Sequence, residues 1–283
     1  MLRDILVLVR PQNGLVVALS FALGWLWFAP VGVNLWVGMA IVYLLHSAGT
    51  IMNDIVDQET DRLNMANRPL VSGKISLITA QTFYLSFILL ALALTMLGGR
   101  LFLIWGFIIY LAGWLYNERP FLGSHRPISS IILLILCFTT LPFIFGAQAA
   151  SGQVFLITAP FVITAIGISF SRGATSLFKD FKDVIGDEAT GKETFLLRFG
   201  STITSNTGLL LSVLGGLLIL WGTIVARGVG IKMLPAILFI VTGIWLRFRV
   251  ARGSKKGTET FSSIYTNEIR LQLSHILWII WPR

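Results

Sequence analysis

Two acidic segments with the same spacing carry most of the chemistry this sequence offers. The first reads Asn53-Asp54-Ile55-Val56-Asp57-Gln58-Glu59-Thr60-Asp61 and the second Asp180-Phe181-Lys182-Asp183-Val184-Ile185-Gly186-Asp187, so both are D-x-x-D-x-x-x-D. On a helix, positions i, i+3 and i+7 fall within about 60° of one another. That spacing puts Asp54, Asp57 and Asp61 on one face and Asp180, Asp183 and Asp187 on another, with Glu59 pointing away. Carboxylates about 6 Å apart repel by roughly 3 kcal/mol at an effective dielectric of about 20, and a divalent cation removes that repulsion. Oxygen ligands without Cys or clustered His suit a hard ion such as Mg²⁺, which keeps waters and shares itself with phosphates. The expected ligand is a phosphorylated compound, with one diphosphate held between the two triads. A single triad would read as a solvated helix end, but the spacing recurs in a chain with only 13 acidic residues.

These side chains need a scaffold that brings both segments together, and composition says what kind. The chain has 283 residues, 55% hydrophobic and 12% charged, with 22 basic and 13 acidic residues for a net charge of +9 and a mean hydropathy of +0.81. Soluble domains carry about a quarter charged residues, so a water-soluble fold is excluded. A helix needs about 20 mostly apolar residues to cross the hydrocarbon core. Charge-free windows run from Pro11 to Asn53, Ile75 to Gly99, Leu101 to Asn117, Pro127 to Ser171 and Phe199 to Ala226. The first and fourth hold two spans each, broken at Ala29-Pro30-Val31-Gly32 and Ala150-Ser151-Gly152-Gln153. Shorter windows at Met233 to Leu246 and Leu271 to Pro282 bring the expected total to nine.

With a cytoplasmic N-terminus, every basic residue except Arg100, Arg227, Lys232 and Arg283 falls on the cytoplasmic side, as the positive-inside rule requires, and so do all 13 acids. The expectation is a multi-pass protein of the cell membrane. It is all-α, with about nine transmembrane helices around a central cavity open to the cytoplasmic face, in one membrane-embedded domain over residues 1–283. The basic balance is accounted for by orientation, which leaves no role for nucleic acid. The first apolar segment runs on without a small-residue cleavage site and reads as a retained span.

Asn53-Asp54-x-x-Asp57-x-x-x-Asp61, continuing through Asn67-Arg68-Pro69-Leu70-Val71-Ser72-Gly73-Lys74, resembles the first aspartate motif of the UbiA family of intramembrane prenyltransferases. Lys179-Asp180-Phe181-Lys182-Asp183-Val184-Ile185-Gly186-Asp187, followed by Gly191-Lys192-Glu193-Thr194, is similar to its second, and Arg10-Pro11-Gln12-Asn13 resembles its entry segment. The resemblance implies transfer of an isoprenyl group from a prenyl diphosphate to a small lipophilic or aromatic acceptor, a quinone, chlorin or ether-lipid type precursor, within the membrane lipid. It implies two Mg²⁺ ions, one on Asp54, Asp57 and Asp61 and the other on Asp180, Asp183 and Asp187, acting as Lewis acids on the leaving diphosphate. Six carboxylates and a diphosphate carry about −9 against +4 from two such ions, so cationic side chains must help. Arg68, Lys179 and Lys182 are the candidates within the motifs. Arg119 and Arg126 flank the loop from Tyr116 to Gly123, which resembles a third substrate-facing loop, and Asn13 and Asn53 would add polar contacts. The second motif looks most like members acting on archaeal lipids, chlorophyll precursors or homogentisate. It departs from the archaeal-lipid pattern in having Ser176-Leu177-Phe178 where an Arg-Glu pair precedes Lys-Asp.

Two other readings suit an all-helical membrane chain: a cation-coupled transporter, and an inactive family member serving as a scaffold. A transporter places its coupling carboxylates near the bilayer midplane, whereas every acid here is expected in a cytoplasmic segment or at a span end. Both triads are complete, which weighs against a scaffold. His46 and His275 fall in expected spans and read as structural, and most of the aromatic residues read as lipid-facing or interfacial. The single Cys137 excludes an intramolecular disulfide or a thiolate metal cluster. No segment points to an obligate protein partner.

Overall fold

In the computed structural model, which describes residues 2–64, 67–152, 158–252 and 257–280, the chain is all-helical among the described residues. α1 (Leu2–Val9) and α2 (Pro11–Phe28) meet at a 46° bend. Pro11 opens α2 and disfavours a helical conformation in the residue before it. Arg10 instead takes φ 51° and ψ 64°, a left-handed conformation uncommon for a residue with a Cβ. α3 (Val33–Val56) is followed by the short α4 (Gln58–Asn64), and α5 (Leu77–Gly98) by α6 (Arg100–Asn117). α7 (Pro127–Ile135) and α8 (Leu141–Ser151) are joined by one wider π-type turn, Leu136–Thr140, so together they make one span. α9 (Ala159–Lys179) leads through a 3₁₀ turn at Asp180–Lys182 into α10 (Val184–Ala189). α11 (Phe195–Arg227), α12 (Met233–Ala251) and α13 (Gly257–Ile280) complete the order.

Among the described residues seven spans are long and apolar enough to cross a membrane, or eight when the bent pair α1–α2 counts as one. The ninth expected span is not among these, because α13 is not apolar enough over its length. It runs from Gly257 to Ile280 rather than from Leu271, and it buries Asn267, Glu268, Gln272, Ser274 and His275. Gln153, Pro282 and Arg283 lie outside the described residues. Glu268 lies within α13 and accepts from Arg172 Nη1 at 3.1 Å and Arg247 Nη2 at 3.2 Å, with Thr175 donating a further hydrogen bond. A carboxylate among these donors is paired and hydrogen-bonded, which is the condition for keeping charge out of water.

Lipid offers no hydrophobic drive for helix association, so close packing of small residues has to supply it. α2 crosses α8 where Gly24 faces Phe143 and Gly146 faces Phe21. A Cβ built on Gly146 would lie 2.0 Å from the Phe21 carbonyl oxygen. α9 and α11 approach through Gly167, Gly215 and Gly222, and a Cβ on Gly167 would lie 2.7 Å from the Ile219 amide nitrogen. The core between these helices is aromatic, with Phe143 and Phe161 stacked at 4.5 Å and Phe21 edge-on to Phe145 at 4.8 Å. Outward positions on α5, among them Leu85, Leu89, Leu92 and Leu97, remain exposed as a lipid-facing surface should.

The crossing at Gly146 gives a test of this packing. Gly146→Val drives a side chain into the α2 backbone and costs about 1–3 kcal/mol, the usual range for overpacking, seen as a lower thermal midpoint in detergent. Gly230→Val, with nothing within 4 Å of the added Cβ, shifts stability by less than about 0.5 kcal/mol. Equal midpoints for the two variants would disprove the close crossing.

Candidate active site

Neither acidic segment is one continuous helix. α3 ends at Val56, Asp57 takes φ −90° and ψ 18°, and α4 starts at Gln58; in the second segment Asp183 takes φ −110° and ψ 5° between the 3₁₀ turn and α10. The middle aspartate is a corner in both. The i→i+4 bonds from Asp61 N to Asp57 O at 2.8 Å and from Asp187 N to Asp183 O at 3.1 Å carry the turn past each corner. The expected single helical face is thus a helix, corner and second helix that still present three carboxylates inward, while Glu59 is exposed.

The two segments are fastened together. Asn64 Nδ2 donates to Asp183 O at 2.8 Å, Gly186 N donates to Asn64 Oδ1 at 2.7 Å, and the Thr60 and Thr190 hydroxyls lie 3.0 Å apart. Gly186 has to be glycine-sized here, since a Cβ would sit 2.5 Å from Asn64 Nδ2. Between the segments lies a cavity of about 600 Å³ whose walls include Asp54, Asp57, Asp61, Asp180, Asp183 and Asp187. Asn13, Asn53, Arg68, Lys179 and Lys182 line it as well. A second chamber of about 110 Å³ continues from it among the helices and shares Arg10, Asn13, Asn53, Tyr116 and Lys179 as walls.

Cations are distributed among the carboxylates. Arg68 Nη1 donates to Asp54 Oδ1 and to Asp61 Oδ2, each at 2.5 Å, and Arg10 also donates to Asp54. Asp57 accepts from Asn53 Nδ2, His125 Nε2 and Lys192 Nζ, all at 3.0 Å. Lys192 reaches Asp187 at 3.8 Å and so bridges the two segments. Lys182 caps Asp183 through both oxygens at 2.7 and 2.8 Å, while Lys179 donates to Tyr116 Oη at 3.0 Å.

These neighbours move the acidities apart. Burial raises the Asp61 carboxyl to about 6 although Arg68 pulls the other way, and burial likewise raises Asp187 against Lys192. Burial also opposes charge on Asp57, but the His125 hydrogen bond and Lys192 outweigh it and hold that carboxyl below the usual range. Lys192 in turn has its acidity weakened by Asp57, which overcomes the cost of burying it.

The oxygen-rich donor set fits a hard divalent ion. Among the described residues no three His, Cys, Asp or Glu side chains are already converged as a metal cage, because Arg68 draws Asp54 and Asp61 to itself and Lys182 holds Asp183. A metal would therefore enter by exchange with these cations.

Arg119 and Arg126 do not line the cavity; both are exposed. The loop between them turns through Leu122 at φ 42° and a 3₁₀ turn at Gly123–His125, which delivers His125 to Asp57 instead. Sequence reasoning missed His125, Asn64 and Tyr116, none of which belongs to a repeated pattern. It also left out Arg10 and Lys192 as site residues, although Lys192 lies in the quoted segment after the second motif and Arg10 in the quoted entry segment.

The sequence model of the UbiA prenyltransferase family matches residues 14–267. A digeranylgeranylglyceryl phosphate synthase of Thermococcus sibiricus is 28% identical over 273 residues, 91% of this chain and 89% of that protein. A 2-acylphloroglucinol 4-prenyltransferase of Humulus lupulus is 32% identical over 169 residues, 56% of this chain and 40% of that protein. The solved structure of a UbiA homolog from Archaeoglobus fulgidus bound to GPP and Mg²⁺ has the same fold. It matches with a TM-score of 0.71 at 19% identity, covering 96% of this chain and 99% of that one.

Lys192 is the side chain whose loss separates the two segments electrostatically. Lys192→Met removes charge-assisted bonds worth about 1.5–3 kcal/mol and weakens binding of inorganic diphosphate with Mg²⁺ by roughly 10- to 100-fold in calorimetric titration. An unchanged affinity would remove Lys192 from the site.

Proposed function

The chain belongs to the UbiA prenyltransferase family, and on that premise we propose that it moves an isoprenyl group from a prenyl diphosphate to a small lipophilic acceptor, with Mg²⁺, at the cavity between its two acidic segments. The observation that supports this site is the convergence of six aspartates on one cavity with Arg68 and Lys192 among them. Asp54, Asp57 and Asp61 would hold Mg²⁺ on one side and Asp180, Asp183 and Asp187 on the other. Bound there, the metal supplies Lewis-acid neutralisation of the departing diphosphate.

The chain's own residues do the rest. Arg68 and Lys192 bind the diphosphate oxygens as the aspartates take up metal, and Arg10, Lys179 and Lys182 face the same volume. The allylic C–O bond breaks with its electron pair passing to the diphosphate. The acceptor's nucleophile supplies the pair for the new bond to that carbon, and the acceptor gives up a proton. Walls formed by side chains as buried as Asp54, at 2% exposure, limit the water that can capture the carbon first.

As to setting, the protein is a multi-pass membrane protein, and the whole chain serves as one membrane-embedded unit with its N-terminus and acidic loops in the cytoplasm. The uneven distribution of basic residues supports that orientation.

Thorough chelation abolishes turnover, and Asp54→Ala or Asp183→Ala lowers it by about 10²–10³-fold, the range for losing a preorganised electrostatic group, in an assay of prenylated product from inserted protein. Retained turnover in chelator would sink the metal requirement. In a Cys137→Ser background, Ser72→Cys is protected from an impermeant reagent added outside cells and Arg100→Cys is labelled. The reverse pattern would overturn the orientation.

A further inference from the structure

α7 and α11 both start at the end of the bundle that carries the acidic loops, and both meet α9 at Gly173. A Cβ built there would lie 3.0 Å from Ile135 and 3.5 Å from Leu211. At their first turns lies an open groove of about 710 Å³, walled by Arg126, Ile128 and Ser129 on one side and Glu193, Arg198 and Phe199 on the other. It shares no wall residue with the carboxylate cavity; His125, which lines the groove, meets Asp57 from outside that cavity. We infer that the groove seats the phosphate of one anionic phospholipid from the surrounding leaflet, with Arg126 and Arg198 as its binding groups. The inference stands independently of the prenyl-transfer reading.

The charge of the groove comes first. Two arginines against one glutamate leave it one net positive charge, which a phosphodiester matches with a single negative one. Arg126 is exposed and, among the described residues, makes no ion pair. Arg198 pairs with Glu193 at 3.4 Å, but the two side chains are 59% and 66% exposed, and an ion pair so open to water is weak. A phosphate therefore displaces little when it takes the guanidinium groups, whose planar donors suit its oxygens.

The apolar surface continuing from the groove selects a lipid over a soluble phosphate. Ile128 and Phe199 on its walls are exposed. So are Ile132, one turn deeper along α7, and Ile203, past the break that Gly200 makes in α11 at φ 80°. A soluble anion leaves these side chains unused. A phospholipid covers them with its acyl chains while its phosphate stays level with the arginines, the position in which basic side chains at the edge of a membrane attract anionic lipid.

The test uses the full chain in detergent, with retained lipid counted by native mass spectrometry during titration with phosphatidylglycerol or phosphatidylcholine. One phosphatidylglycerol is held about 10-fold more tightly than phosphatidylcholine, the scale of charge-assisted hydrogen bonds. Arg126→Gln and Arg198→Gln each remove most of that preference. Arg119→Gln, which takes the same charge from an exposed position outside the groove, changes it by less than about twofold. Glu193→Gln releases Arg198 and tightens binding by about two- to fivefold. An unchanged thermal midpoint without added lipid reports that the variants are folded. A phosphatidylglycerol with a photoreactive acyl chain crosslinks wild type in the peptides holding Ile132 and Ile203, so selectivity and crosslinking test the site without any variant. Equal retention of the two lipids, crosslinks confined to other helices, or a loss in Arg119→Gln as large as in Arg126→Gln each overturns the inference. Release of the bound lipid by millimolar inorganic phosphate assigns the groove to a soluble anion and overturns it as well.

Discussion

Six aspartates share the walls of one cavity, and like charges so close together and so far from bulk water repel unless cations are brought among them. The bend at Arg10, the placement of Arg68 after α4 and the return of Lys192 beyond α10 all serve that condition. Each delivers a positive group from a different part of the chain, Arg10 to Asp54, Arg68 to Asp54 and Asp61, and Lys192 to Asp57. The acids are left unequal by this arrangement: Asp57 is held strongly ionised, while Asp61 stays close to accepting a proton. A cluster balanced by exchangeable cations is poised to trade them for metal and diphosphate, since the incoming charges satisfy the same requirement.

Bringing ten or more polar side chains to the end of a helix bundle also constrains the bundle. The helices have to hold position without drawing on the cavity walls for adhesion. The glycine crossings of α2 with α8 and of α9 with α11 provide that adhesion at the backbone level. The Arg172–Glu268–Arg247 cluster ties α9, α12 and α13 together by charge in the interior. Such a cluster is weak evidence for added stability. It couples their relative positions, because moving α9 or α12 away from α13 takes a partner from the buried glutamate.

The sequence made the acidic segments legible because their spacing is a periodic signal repeated twice, and all six aspartates do line the cavity. Apolar windows located the helices for the same reason: hydrophobic runs are set by bilayer thickness. The rest depended on single residues with no period. Nothing in the loop after α6 distinguishes His125 from its flanking arginines until the turn at Leu122 shows which one faces Asp57. The start of α13 was not legible because its polar residues are buried against other helices, and an apolar window breaks off at each of them. The burial of Glu268 was not legible either, because the partners that permit it lie on α9 and α12.

The fastening at Asn64 separates what shapes the second acidic loop from what makes it reactive. Asn64 grips the carbonyl of residue 183 and the amide of residue 186. Any amino acid at 183 would present that carbonyl, and only bulk at 186 would obstruct the grip. The loop's geometry is therefore inherited through its backbone while its charge is inherited through its side chains. Drift at the acidic positions can change or silence the chemistry and leave a correctly folded loop behind. Drift at Asn64 or Gly186 loses the geometry on which every acidic position in that loop relies.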